Sequence, residues 1–146
     1  MILKIKKLSK KAKTPTRGSA EAAGLDLYAV LDEDVLSIPP HSTKPVNIQI
    51  AIEIPKGTFG AIYARSGLAT KKSLALINSV GVIDSDYRGP VIVALHNFSD
   101  EEKTIENGER IAQLVITPYL NLDIEEVEEL TDSERGEGGF GSTGSK

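Results

Sequence analysis

The chain has 146 residues, 40% of them apolar, enough for one domain with a sizeable core. No run of ~18 apolar residues occurs, which excludes a helical membrane span, and residues 1–13 alternate apolar and basic side chains where a signal peptide would have a continuous apolar stretch. With 17 Lys and Arg against 21 Asp and Glu, the net charge of −4 argues against a general binder of nucleic acid or of anionic membranes.

The absence of cysteine removes disulfides, thiolate chemistry and Cys-based zinc sites, and fits a reducing, cytoplasmic compartment. His41 and His96 are too few for a His-rich metal centre. Charge is unevenly placed. Residues 1–17 carry Lys4, Lys6, Lys7, Lys10, Lys11, Lys13 and Arg17 with no acid, while residues 123–146 carry eight acids against Arg135 and Lys146. Two solvated ends of opposite sign account for this better than a nucleic-acid arm, since aromatics are only 5% and Trp is absent.

In chain order, the first unusual stretch is Ala23-Gly24-Leu25-Asp26-Leu27, an acid inside an apolar strand. A buried carboxylate must find a cation or several donors, so Asp26 serves either a salt bridge, with Arg110 as partner, or a ligand. Val46, Ile48, Ile50, Ile52 and Ile54 alternate with polar or small residues and predict one half-buried strand ended by Pro55-Lys56-Gly57. Phe59 to Ala64 reads as the returning strand.

Arg65-Ser66-Gly67-Leu68-Ala69 then passes from a strand end into a short helix over 66–72. Consecutive backbone N–H groups beside an Arg and a hydroxyl suit an anion; plain N-capping by Ser66 is the competing explanation. Gly81-Val82-Ile83-Asp84-Ser85-Asp86-Tyr87-Arg88-Gly89 is a glycine-bounded hairpin. Turn chemistry accounts for Asp86, whereas Asp84 follows two apolar residues and belongs at a strand end facing a pocket. A carboxylate there could orient and deprotonate water, although its ordinary pKa of ~3.9 makes it a weak base.

Val91 to Leu95 is apolar throughout and predicts a strand covered on both faces. Asn97-Phe98-Ser99 is formally a glycosylation sequon, a chance match without an export signal. Gly108 to Leu114 is a turn entering a strand that carries Arg110 and Gln113 and runs to Thr117, before Pro118. Leu120 to Ile124 could pair as a further strand. Beyond Leu130 the chain is glycine-rich, which fits a disordered tail. Arg135 and Phe140 set among those glycines equally fit a lid over an anion and an aromatic ring. Short strands between turn signals predict an all-β fold, a jelly-roll-like barrel or sandwich with one short helix and a flexible C-terminal arm. The expected division is a β core over 1–120, then a C-terminal strand and glycine-rich arm over 121–146.

Five of these stretches, Ala23–Leu27, Arg65–Ala69, Gly81–Gly89, Gly108–Leu114 and Arg135–Gly144, resemble in order and spacing the five motifs of the homotrimeric dUTPase family. The resemblance covers residues 14–144. It implies a jelly-roll subunit in a homotrimer, with active sites between subunits and the C-terminal arm closing over a site. The implied reaction cleaves dUTP to dUMP and pyrophosphate, which keeps uracil out of DNA and supplies dUMP for thymidylate synthesis. Mg2+ is implied as cofactor, held mainly by the triphosphate and waters, with Asp26 acting on it through water. By position, Asp84 corresponds to the residue that activates the attacking water, and Tyr87 to the ring that packs under the deoxyribose. Asn78 and the backbone from Gly81 would read uracil. Arg65, Ser66, Gly67 and Gln113 would hold phosphates, Arg135, Gly141, Ser142 and Thr143 would close on the γ-phosphate, and Phe140 would stack on the base.

Ala64 stands where the second motif commonly has Pro, and Leu25 where the first commonly has an aromatic; slightly altered strand geometry is the expected consequence. The dCTP deaminase branch of the same superfamily, including its bifunctional form, is the nearest alternative, but Ala94 occupies the position of its catalytic Glu. A non-enzymatic nucleotide-binding trimer should have lost Asp84 or the Arg135–Phe140 arm, and both are present.

Overall fold

A computed structural model describes residues 1–139. Its elements in chain order are β1 (Lys4–Lys7), β2 (Thr16–Arg17), β3 (Leu25–Tyr28), β4 (Val35–Ile38), β5 (Thr43–Asn47), β6 (Ile50–Glu53), β7 (Thr58–Ala64), α1 (Ser66–Lys72), β8 (Leu74–Leu76), β9 (Gly81–Ile83), β10 (Ile92–Asn97), β11 (Lys103–Glu106) and β12 (Arg110–Pro118). The largest sheet runs β2-β3-β12-β7-β9, and smaller ones pair β5-β10-β8, β11-β4 and β1-β6, all antiparallel. This is the predicted jelly-roll-like sandwich, with one short helix among the described residues.

The apolar run at 46–54 forms two strands in different sheets, not one. Gln49 takes φ 59°, and its N–H is held at 2.9 Å by the Asn47 side chain, so the ladder breaks between Asn47 and Ile50. The period of two survives the break: Val46, Ile48, Ile50, Ile52 and Ile54 are all at most 3% exposed. Burial fixed which side each residue faces, and the kink let one apolar stripe serve two sheets.

Phe59–Ala64 does not return along 50–54 either. β6 pairs with β1, where Lys4 holds the Glu53 carboxyl below its ordinary range through a 2.7 Å hydrogen bond. β7 pairs instead with β12 and β9. Gly57, at φ 80°, turns the chain out of the first sheet, and Ile54 then lies across the face of β7. A Cβ on Gly60 would come within 2.8 Å of the Ile54 side chain and 2.9 Å of Leu114, so only glycine allows this sheet-to-sheet approach.

Three further expectations change. Residues 81–89 do not form a β-hairpin, because β9 joins β7 while β10 joins β5 and β8. The strand at 91–95 is covered on one face only within the chain: Val93 and Leu95 are fully buried, but Ile92 is 51% exposed. No strand forms over 120–124 among the described residues, and Leu120, Leu122 and Ile124 are exposed. For Ile92 and for 120–124 the reason is shared: among the described residues, no surface covers these apolar side chains.

The chance sequon at Asn97 is resolved by burial. Asn97 is fully buried, with Nδ2 donating to the carbonyls of Ile38 at 2.9 Å and Glu101 at 2.7 Å, and Oδ1 accepting from Ser99 N–H at 3.0 Å and Oγ at 2.8 Å. It ties β10 to β4 and closes the 98–101 turn. Asn97→Leu removes both amide donors, leaving the Ile38 carbonyl without its side-chain partner and the Glu101 carbonyl with Ser99 Oγ alone, and should lower unfolding free energy by about 2–4 kcal/mol. Urea unfolding at fixed protein concentration checks this; an unchanged midpoint would show that the turn does not depend on the amide.

Candidate functional site

The first cleft forms where β3, β12 and the end of β7 meet. Asp26 on β3 is 9% exposed, opposite Gln113 on β12. Arg110 is three residues from Gln113, so in a regular strand it would face the other way. A bulge between Arg110 and Ala112 shifts the register so that Arg110 stands opposite Tyr28, two residues from Asp26 and on its face. The carboxylate is thereby shared: Oδ1 lies 2.9 Å from Arg65 Nε, and Oδ2 lies 3.1 Å from Arg110 Nη1. Of the two readings open for Asp26, the salt bridge to Arg110 is present, and Arg65 joins it.

Arg65, and not Ser66, is the N-cap residue of α1. Its carbonyl accepts from Leu68 N–H at 3.1 Å and Ala69 N–H at 3.0 Å, and no side chain caps the helix. The N–H groups of Ser66 and Gly67 are left without intrahelical partners beside two guanidinium groups, an arrangement suited to an anion. Gln113 Nε2 donates to the Ala64 carbonyl at 2.9 Å, and its amide keeps a second N–H for a ligand. Position 64 contributes its carbonyl to this bond, which any residue supplies. A Cβ on Gly24 would fall 2.6 Å from Gln113 Oε1, so this glycine makes room for the amide. Gly24, Asp26, Arg65, Ser66, Arg110 and Gln113 line a cleft of about 320 Å3.

The second cleft, of about 250 Å3, gathers Asn78, Gly81, Asp84 and Tyr87 with Pro90 and Ile92. Among the described residues β9 is an edge strand bonded only to β7, and they leave the other edge of its backbone open for pairing. Asp84 directly follows it and is exposed, as expected for a strand end facing a pocket. The Asp84 carbonyl accepts from Tyr87 N–H at 3.2 Å, and Arg88 Nη1 donates to the carbonyls of Ser85 at 2.7 Å and Tyr87 at 2.9 Å, bracing the turn.

The two clefts are separate. The register places Gly60 opposite Ile83, so Asp84 is level with Phe59, six residues before Arg65. At ~3.3 Å per residue, Asp84 and Arg65 stand roughly 20 Å apart along the strand. Arg135 lines neither cleft; it is exposed, with Nε donating to the Gly138 carbonyl at 2.8 Å. Phe140, Gly141, Ser142 and Thr143 lie outside the described residues.

The dUTPase family model matches residues 10–144. The chain belongs to the dUTPase family. It is 49% identical to a deoxyuridine 5'-triphosphate nucleotidohydrolase of Hydrogenobaculum sp. over the whole of both chains. It is 48% identical to the human mitochondrial protein of that name, over 99% of this chain and 55% of that protein. The dUTPase of Staphylococcus bacteriophage 80alpha, solved with dUpNHpp, superposes with a TM-score of 0.88 at 32% identity, covering 98% of each chain.

Against the family's motifs, the structure brings Asp26, Arg65, Ser66, Gly67 and Gln113 to one end of the large sheet and Asn78, Gly81, Asp84 and Tyr87 to the other. Arg110 and Gly24 are the cleft residues that sequence reasoning did not place in the site. Gly24 is visible in hindsight beside Asp26, but the bulge that turns Arg110 inward leaves no mark in the sequence. Among the described residues, no three acidic or histidine side chains converge as a metal cage. Asp26 has a cation on each oxygen, yet a carboxylate offers about four lone-pair sites, so it can still accept from a metal-bound water.

The shared carboxylate makes a direct prediction. A double-mutant cycle between Asp26→Asn and Arg110→Gln, read by urea unfolding, should give a coupling of about 1–2 kcal/mol. Strictly additive effects would mean that the two groups do not act as a unit.

Proposed function

We propose that this chain hydrolyses dUTP to dUMP and pyrophosphate, with one nucleotide clasped between copies of the chain. The observation that carries the reading is the pairing of two complementary half-sites, one cationic with free N–H groups and one with an open strand edge, an aromatic ring and a carboxylate. They are too far apart within one chain to share the reacting α-phosphate. Placed face to face from two copies, they enclose phosphates on one side and base and sugar on the other. The exposed apolar side chains of Ile77, Val82 and Ile92 around the second cleft support burial against a neighbouring copy. A homotrimer is the assembly that the family pattern favours.

In this reading the β9 edge and Asn78 pair with uracil. Cytosine reverses the donor and acceptor at position 4 and would leave buried groups unpaired. Tyr87 lies against the deoxyribose. Asp84 accepts a proton from water as the water oxygen bonds to the α-phosphorus; the bond from that phosphorus to the α,β-bridging oxygen breaks, and pyrophosphate leaves. Arg65, with the N–H groups of Ser66 and Gly67 and the amide of Gln113, stabilises the charge that accumulates on the phosphates. Asp26 orients Arg65 and would hold Mg2+ through water. Mg2+ retains waters readily and, when bound, neutralises polyphosphate charge. The segment from Arg135 through Phe140 to Thr143 closes over the site as a lid, and a cytoplasmic setting fits the cysteine-free sequence.

Pyrophosphate release with Mg2+ from dUTP, dCTP, dTTP and UTP in parallel tests the reading, with release from dUTP alone expected. Asp84→Asn should lower kcat at least a hundredfold and leave dUTP binding intact; wild-type turnover in this variant would remove Asp84 from the chemistry. Truncation after Leu130 should abolish most turnover while the chain still sediments as a trimer, whereas full activity would dismiss the lid.

A further inference from the structure

We propose that Gly89 and Pro90 set the sugar selectivity of the site by fixing the Tyr87 ring, making them positioning residues for the discrimination between deoxyribose and ribose. The inference rests on the reading of Tyr87 as the sugar-facing ring and assigns what holds that ring in place.

The Tyr87 side chain folds back over its own turn. A Cβ placed on Gly89 would overlap the Tyr87 hydroxyl, lie 2.6 Å from Cζ and 3.0 Å from Cε2, and these three atoms of one ring are its nearest neighbours. The hydroxyl donates to the Pro90 carbonyl at 3.1 Å. Beneath the ring, the Tyr87 N–H is bonded to Asp84 and the Arg88 guanidinium braces the carbonyls of Ser85 and Tyr87, so the backbone is fixed independently of the ring.

Gly89 does not have a left-handed φ, unlike Gly57, Gly108 and Gly136. The backbone therefore makes no demand for glycine here, and the space is kept open by the ring alone. Pro90 restricts its own φ and stiffens the carbonyl that receives the hydroxyl. The hydroxyl end of the side chain thus lies against Gly89 and is tethered to Pro90, while Tyr87 as a whole is 44% exposed and lines the cleft that also holds Asp84.

A wall refuses an added 2′-hydroxyl by overlap, so its power depends on where the ring stands. A methyl at position 89 forces the hydroxyl end of the ring off Pro90. If the ring tips into the cleft, dUTP loses its fit; if it swings out, the 2′-hydroxyl of UTP gains room. In both cases the ring has lost its tether to Pro90 and yields to the 2′-hydroxyl, so UTP is penalised less relative to dUTP and the ratio of kcat/KM for dUTP to that for UTP falls.

The test measures that ratio, by pyrophosphate release with Mg2+, in the full-length chain and in Gly89→Ala, Tyr87→Phe, Tyr87→Ala and the double variant Tyr87→Ala, Gly89→Ala. Gly89→Ala should reduce the ratio about tenfold or more. Tyr87→Phe, which loses only the tether to Pro90, should reduce it less and in the same sense. In the Tyr87→Ala background the added methyl should have no further effect, an outcome that general damage to the turn would not produce. A Gly89→Ala ratio equal to wild type, with Tyr87→Ala lowered, overturns the inference and leaves the role of Tyr87 standing. An unchanged ratio in Tyr87→Ala overturns both. Should Gly89→Ala fail to fold, an undiminished ratio in Tyr87→Phe is sufficient to reject the tether.

Discussion

The Asp26 carboxylate held between Arg65 and Arg110 is the interaction on which the first cleft depends. One acid from β3 meets a cation from the end of β7 and another from the start of β12. Three strands are thereby registered at one corner of the large sheet. Two guanidinium groups side by side would repel, and Asp26 offsets that repulsion while leaving the cluster with a net positive charge. The arrangement is ready for an anion before any anion arrives, so little reorganisation is required on binding.

The second constraint is separation. A regular antiparallel strand carries Asp84 and Arg65 to opposite ends of β7, and no flexing of a well-bonded sheet shortens that distance. The chain therefore presents two partial surfaces, each incomplete as a site for a nucleotide. The same logic accounts for the apolar side chains left open around β9 and β10 and along 120–124. Under the proposed function, in which the site is assembled from copies, part of the apolar surface has to stay outside each chain's own core.

Several glycines act here by lacking a side chain. Gly60 lets Ile54 and Leu114 close on β7, Gly24 admits the Gln113 amide, and Gly89 accommodates the Tyr87 ring. None of the three has a left-handed φ. Their shared role is close packing, and each places a functional or core group that a methyl would displace. The site is held to a large extent by backbone: Ala64 contributes a carbonyl, Ser66 and Gly67 contribute N–H groups, and β9 contributes an open edge. Backbone groups carry no side-chain rotamer entropy, which suits the reading of a small rigid base.

By itself the sequence determined the all-β class, the helix at 66–72, the apolar stripe at 46–54, and the five stretches that identify the family. These are local signals, since turn residues, period-two burial and short motifs are written in consecutive positions. It also suggested the Asp26–Arg110 pair, because a buried acid in an apolar strand needs a cation. Only the tertiary structure decided which strands became neighbours, that the stripe at 46–54 kinks at Gln49 to serve two sheets, and that Arg65 rather than Ser66 caps the helix. It alone showed the bulge that turns Arg110 toward Asp26, and the length of β7 that separates the two clefts. The strand pairings and the bulge depend on partners distant in the chain, where packing and hydrogen bonding between strands choose among arrangements that local preference leaves equal. The kink at Gln49 and the cap at Arg65 are made by near neighbours, but only the packed fold selects them over the local alternatives.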